Sequence, residues 1–211
     1  MRSLFILLCG LAIANAEPTL RPIDESAFDP TLSKFMKELT AAIEQRDAHF
    51  VEHNLTSDAL ASFGEERGLN GFTRTYGLAD PRAPFWGEFQ NVLSLGGAFT
   101  EGRKEFIAPY VAARWPDKFD AMEYVALIAK NVVVHAAADP TSKSVARLSY
   151  SLLQIKSEGD GSGQADWVAV LLPAGGTGFV PTASVRSPLD YRAQFRREGG
   201  AWKLASFLAG D

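Results

Sequence analysis

The residues best placed to do chemistry are His49, Glu52 and His53, which fall in the spacing H-x-x-E-H, a pattern able to hold catalytic zinc. On a helix the two imidazoles lie one turn apart on one face. Catalytic zinc also needs a third protein ligand and a coordination position left open for water. Glu123 is the one acidic residue that suggests itself, and no second helical motif accompanies it. A pair of surface or capping histidines is the preferred reading, and no metal site is assigned.

Carboxylates are the next resource. Hydrolysis of a glycan needs an acid and a second carboxylate about 5 to 10 Å apart, and Glu44, Asp47, Glu65, Glu66, Asp80 and Glu101 are available. Spacing alone does not pair them, and Glu44 with Asp47 suits the wet face of a helix. No catalytic residue is assigned. The chain has no G-x-S-x-G, no G-x-x-x-x-G-K-[ST] and no G-x-G-x-x-G after a strand, so serine-hydrolase and nucleotide-binding readings lack support and no cofactor is implied. Arg186, Arg192, Arg196, Arg197 and Lys203 against Asp190 and Glu198 make residues 186–203 locally basic. Such a stretch suits an anionic polymer or surface, or more simply the wet face of an amphipathic hairpin.

The elements that must position these groups follow from periodicity. Asp29 is a candidate N-cap with Pro30 at the first helical position, and Leu32, Phe35, Met36, Leu39, Ile43 and Phe50 recur near helical spacing. This predicts one helix over roughly 30–53. Phe72, Phe85, Trp86, Phe89, Val92 and Leu93 suggest two further short helices ending at Gly96-Gly97. The aromatic, proline-marked stretch from Phe99 to Asp120 reads as irregular structure packed on those helices. From Tyr124 onward come short β-rich runs separated by Gly-rich turns, with EGDGSG at 158–163 as a hairpin loop.

At the N-terminus, Arg2 precedes a short apolar run from Leu4 to Ile13, and Ala14-Asn15-Ala16 follows as a small-x-small site. That order predicts a secretory signal peptide over 1–16, cleaved near Ala16, and an exported product, periplasmic or secreted. The run is too short to span a bilayer and none comparable recurs, so no transmembrane segment is expected. The sole cysteine, Cys9, lies inside the leader, which leaves the mature chain without disulfides or thiol chemistry. Residues 17–29 mix proline and acidic residues without periodicity and read as an exposed linker. The whole chain of 211 residues carries 21 basic and 25 acidic residues, a formal charge of -4, which argues against a general nucleic-acid binder.

The run Val132-Val-Val-His135, then Val145-Ala-Arg-Leu148, Trp167-Val-Ala-Val170 and Gly175-Gly-Thr-Gly178-Phe179-Val180 resembles bacterial SH3-like domains over about residues 126–187. His135 stands where the family usually carries Arg, and Ala138 near its Pro. The resemblance implies a small five-stranded barrel with Val132 and Val134 facing inward and a tight turn at Gly175 and Gly178. It also implies a ligand groove, for which His135, Tyr150, Trp167 and Phe179 are the candidates. Trp167 and Phe179 equally have the bulk for barrel core, the more economical reading of each. SFG-x-x-x-G at 62–68, APY at 108–110, RWP at 114–116 and the C-terminal residues further resemble exported bacterial proteins that carry such a domain.

The expected architecture is therefore α+β: a mainly helical segment over 30–125, an SH3-like barrel over 126–187 and a C-terminal hairpin over 188–211 packed on the barrel. The expected role is an exported binding protein for cell-wall peptide or an envelope protein, leaning away from an enzyme. A cell-envelope hydrolase with carboxylates in the first segment and the barrel as its targeting part is the alternative.

Overall fold

Asp29 begins the first helix by accepting from the backbone amides of Thr31 at 2.9 Å and Leu32 at 3.1 Å. The computed structural model describes residues 17–64, 67–156 and 166–210; the expected leader over 1–16 and the expected hairpin loop at 158–163 lie outside them. Helix α1 runs Pro30–Gln45 and buries Leu32, Phe35, Leu39, Ala42 and Ile43. It does not continue to residue 53. Arg46 adopts a left-handed conformation, Asp47 donates its amide to the Ala42 carbonyl at 2.8 Å, and the Asp47 carboxylate caps a separate helix α2, Ala48–His53. The apolar period carries across this corner, so the signal for the break was the capping preference of Asp47. Helices α3 (Gly68–Tyr76) and α4 (Pro84–Ser94) follow. Gly96 then turns at a positive φ of 65°, where an added Cβ would sit 2.6 Å from the Ile23 carbonyl.

Five strands make the sheet under these helices: β1 (Leu55–Leu60), β2 (Ala98–Phe99), β3 (Glu105–Ala108), β11 (Arg192–Glu198) and β12 (Ala201–Leu208), in the order β1-β12-β11-β3-β2. β1 runs parallel to β12 and the other pairs are antiparallel. Phe106, Ala193, Phe195, Trp202, Leu204 and Phe207 meet α1, α3 and α4 in one core. The face survives the change of parity between Leu204 and Phe207 because the β11–β12 register slips there, from Leu204↔Phe195 to Ser206↔Gln194.

Two expectations change accordingly. The stretch from Phe99 to Asp120 is not irregular; it contains β2, β3 and a short helix α5, Tyr110–Ala113. The C-terminal hairpin does not pack on the barrel. It lies inside the first sheet, because its apolar side matches the apolar faces of α1 and α4: Phe195 meets Phe35 with ring centroids 5.9 Å apart, and Phe207 meets Phe89 at 4.7 Å.

The seven remaining strands are thus inserted between α5 and β11. They are β4 (Tyr124–Leu127), β5 (Val132–His135), β6 (Ser144–Leu148), β7 (Leu152–Ile155), β8 (Trp167–Leu171), β9 (Thr177–Pro181) and β10 (Val185–Arg186). Their order is β10-β4-β7-β8-β9-β5-β6. The chain is therefore α+β, with N-terminal helices and two sheets. β10 and β6 do not pair, so strand pairing leaves this sheet open where a closed barrel was expected. Val132 and Val134 do face inward, with Val125, Leu127, Leu153, Val170 and Val180. Gly178 lies so close beneath Val134 that an added Cβ would meet its Cγ1 at 2.4 Å.

Residues 17–29 are not a free linker. Leu20 donates its amide to the Tyr150 carbonyl at 2.8 Å, and Leu152 donates to Pro18 at 2.8 Å. Leu20 is buried with Tyr110, Val111, Ala126 and Leu152 in a small core between the sheets. Glu25 then accepts from the Phe99 amide at 2.9 Å and from Arg114 at 3.0 Å. One apolar and one acidic side chain thus make this segment a strap across both sheets, despite its polar composition. Among the described residues no helix is long and apolar enough to cross a membrane.

Candidate functional site

Strand parity decides where the four candidate residues go. Val134, Val170 and Val180 point into the core of the seven-stranded sheet, so His135 and Phe179, next to them in sequence, and Trp167, three residues before Val170, face outward. His135 pairs with Phe179 across β5 and β9, Phe179 with Ala169 across β9 and β8, and Trp167 with Pro181. The His135 and Trp167 rings meet edge to face at 5.3 Å and 79°. These three side chains therefore share one outer surface, each half-buried. The expectation that Trp167 and Phe179 fill a barrel core is overturned: valine and leucine complete that core without any aromatic ring.

The hairpin joining β5 and β6 braces this surface. His135 Nδ1 lies 3.3 Å from the Ser142 carbonyl. The Asp139 carboxylate accepts from the Thr141 amide at 2.7 Å and from its hydroxyl at 2.8 Å. These two hydrogen bonds, with the nearby His135, hold Asp139 below the usual carboxylate range.

Tyr150 does not join the other three. It sits between β6 and β7 with φ of 58°, and its carbonyl accepts from Leu20 of the strap. Its neighbour there is Tyr110, whose hydroxyl is pushed up to about 12 by burial and, less strongly, by the Tyr150 phenol. A turn residue in a left-handed conformation breaks the alternation from which a strand-face position is inferred.

The other sequence candidates are engaged singly. His49 and His53 are both exposed, with rings stacked at 6.3 Å, while Glu52 accepts from the Thr73 hydroxyl at 3.3 Å. Glu123 lies beside β7, 3.5 Å from the Gln154 amide. Among the described residues no group of three or more His, Cys, Asp or Glu is arranged to hold a metal ion. Asp47 caps α2 and Asp80 accepts from the Arg82 amide at 2.9 Å; Glu44 is exposed on α1. Glu65 and Glu66 lie outside the described residues. Most of the basic cluster is paired with carboxylates: Arg196 with Asp58, Arg197 with Asp29 at 2.7 Å and Lys203 with Glu198 at 3.5 Å. Arg192 donates to the Gly210 carbonyl at 2.8 Å. Arg192, Arg196, Arg197 and Lys203 thus sit on the strand pair β11 and β12, laced by ion pairs, whereas Arg186 lies on β10 of the inserted sheet.

Two large cavities lie elsewhere: one at the seam between the sheets, lined among others by Glu88, Arg186 and Tyr191, and one beside it within the helix-covered body, lined among others by Tyr76, Phe85, Glu88 and Tyr191. Sequence reasoning named Arg186 only as part of the basic stretch and did not single out Glu88 or Tyr191. The available signal was on α4, where Glu88, Asn91 and Leu95 repeat at helical spacing on a face beside the apolar stripe of Phe85, Phe89 and Val92. Comparison with protein-family models, with curated proteins and with solved structures returns no match.

Proposed function

We propose that this chain is an exported binding module in which an SH3-like unit, residues 126–187, is carried as an insertion in a helix-and-sheet body. The ligand is a cell-wall peptide or a protein partner, taken up by His135, Trp167 and Phe179. One observation carries the reading: the inserted sheet closes its core with aliphatic residues alone and spends its aromatic rings on the outside. A half-buried aromatic on a rigid strand offers a large contact area at low cost in side-chain entropy, which is why such residues anchor ligands. Neighbouring His135 adds a polar group that can donate or accept a hydrogen bond beside the rings.

Co-sedimentation of the purified protein with isolated cell-wall sacculi, at low and moderate salt, tests this reading. Binding that resists salt and is lost in a folded Trp167→Ala variant is the expected result. Binding abolished by salt alone, or unchanged in the variant, removes the aromatic surface from the mechanism.

A further inference from the structure

The cavity of about 540 Å³ and its neighbour of about 420 Å³ share Glu88, Tyr191 and Ala209 in their walls. They form one groove with its waist at Glu88. One end is aromatic, walled by Tyr76, Phe85 and Phe207, with Phe63 62% exposed beside them. Tyr76 is fixed there by hydrogen bonds from its hydroxyl to the carbonyls of Ala61, at 2.9 Å, and Phe207. The other end runs between α4 and the chain returning from the inserted sheet, past Asn91, Leu95 and Thr182.

Three charged side chains line the joined groove: Glu88, Arg186 and Asp190. The Arg186 side chain is only 11% exposed. Its Nη2 donates to the Tyr191 carbonyl at 2.6 Å, and its Nε lies 3.6 Å from Asp190 without a hydrogen bond. Burial pulls the pKa of Arg186 down, while Asp190 and Glu88 push it back up. Asp190 is thus the near counter-ion of Arg186 and also accepts from the Ser187 amide at 2.9 Å. No described residue donates a hydrogen bond to Glu88. Two carboxylates against one guanidinium leave one uncompensated negative charge, on a half-buried side chain at the mouth of an aromatic pocket.

We propose that this groove binds a peptide segment carrying a cationic side chain close to an aromatic or large aliphatic one. The ammonium or guanidinium pairs with Glu88, and the apolar side chain enters the pocket of Phe63, Tyr76, Phe85 and Phe207. Asn91 and Thr182 offer polar groups to the peptide main chain beyond the waist. The charge in the groove selects a cation, and the aromatic end excludes small inorganic ions as its natural occupant. This site is separate from the outer surface of His135, Trp167 and Phe179, and each stands or falls alone.

The test is NMR titration of the purified protein with the blocked tripeptide acetyl-Phe-Gly-Lys-amide and with its twin acetyl-Phe-Gly-Glu-amide. The lysine peptide is expected to shift the amides of Glu88, Tyr191 and Ala209 and to bind about tenfold more tightly than its twin. Glu88→Gln, which keeps size and removes charge, should abolish that preference. Ala209→Arg, at an exposed position in the walls of both cavities, should block the groove; Trp167→Ala should leave binding intact. Equal binding of the two peptides, shifts confined to other surfaces, no shift at all, or a lysine preference that persists in Glu88→Gln would each overturn the proposal. Concentration-dependent shifts at the groove without any peptide would assign it to a second copy of the chain and overturn it as well.

Discussion

The two sheets use their aromatic residues in opposite ways. In the helix-covered sheet the rings are inside: Phe35, Phe72, Phe85, Phe89, Phe106, Phe195 and Phe207 are all buried, many edge to face with one another. In the inserted sheet they are outside, and the core is aliphatic. A sheet covered by several helices encloses a volume that only large side chains fill to normal interior density. A small sheet folded on itself has a thin interior, where valine and leucine suffice and where glycine is needed for closest approach, as at Gly178. Aromatic residues in the first body are therefore first of all packing, even where Phe85 and Phe207 also wall the groove at Glu88, and those in the second are free for recognition.

The sharpest way to break this comparison is to remove one ring from each region. Phe207 is fully buried and touches Tyr76, Phe85, Phe89 and Tyr191, with centroids 4.7 to 5.4 Å away. Phe207→Ala should destabilise the protein by about 3–5 kcal/mol, measured by urea unfolding. Trp167→Ala should cost only about 1 kcal/mol while removing the sacculus binding proposed above. Equal losses of stability in the two variants would mean that Trp167 is core after all.

Gly178 offers a test confined to the inserted sheet. Gly178→Ala forces its new Cβ against Val134 Cγ1 and should cost about 1–3 kcal/mol by overpacking. In the double variant with Val134→Ala the offending methyl is gone, so the combined loss should be smaller than the two single losses together. Strict additivity would show that neighbours other than Val134, such as Leu172 at 3.5 Å and the His135 carbonyl at 3.6 Å from the added Cβ, set the cost.

The contrast between the sheets also explains what the sequence made legible. Local signals were accurate: the Asp29-Pro30 helix start, the inward pair Val132 and Val134, and the change of character near Tyr124 all depend on neighbours a few residues apart. The insertion was invisible because the parallel pairing of β1 with β12, Leu55 opposite Leu204, joins segments from the two ends of the chain. The hairpin of β11 and β12 announced an apolar face, but periodicity does not say which partner that face meets. Three of the four candidate site residues share a surface because alternation on strands is a local rule. Tyr150 sits on a turn, where the rule does not hold, and the groove at Glu88 is made by residues from distant segments.

The weakest expected effect concerns the seam that ties the first helix to the first sheet. The Asp29 carboxylate caps α1 with one oxygen and meets Arg197 at 2.7 Å with the other, while Arg197 lies over the Trp202 ring at 5.2 Å. The hydrogen bond from the Thr31 hydroxyl, then Arg197 and the Leu32 and Thr31 amides, outweigh partial burial and hold Asp29 far below the ordinary carboxylate range. A group whose pKa is depressed by folding contributes stability above its unfolded value and loses it as pH falls toward its folded one. Stability should therefore decline on acidification through and below the usual carboxylate range, with Glu198, held down first by the Ser57 amide, contributing in the same sense. Asp29→Ala should cost about 1 kcal/mol near neutral pH through the lost cap. Asp29→Asn keeps a capping oxygen and should retain much of that stability, yet its unfolding free energy should fall less steeply from pH 5 to pH 2 than that of the parent, about the window in which linkage acts on such a carboxylate. Parallel pH profiles for Asn and Asp would show that Asp29 serves only as a cap and that its ion pair with Arg197 adds nothing to the joint between helix and sheet.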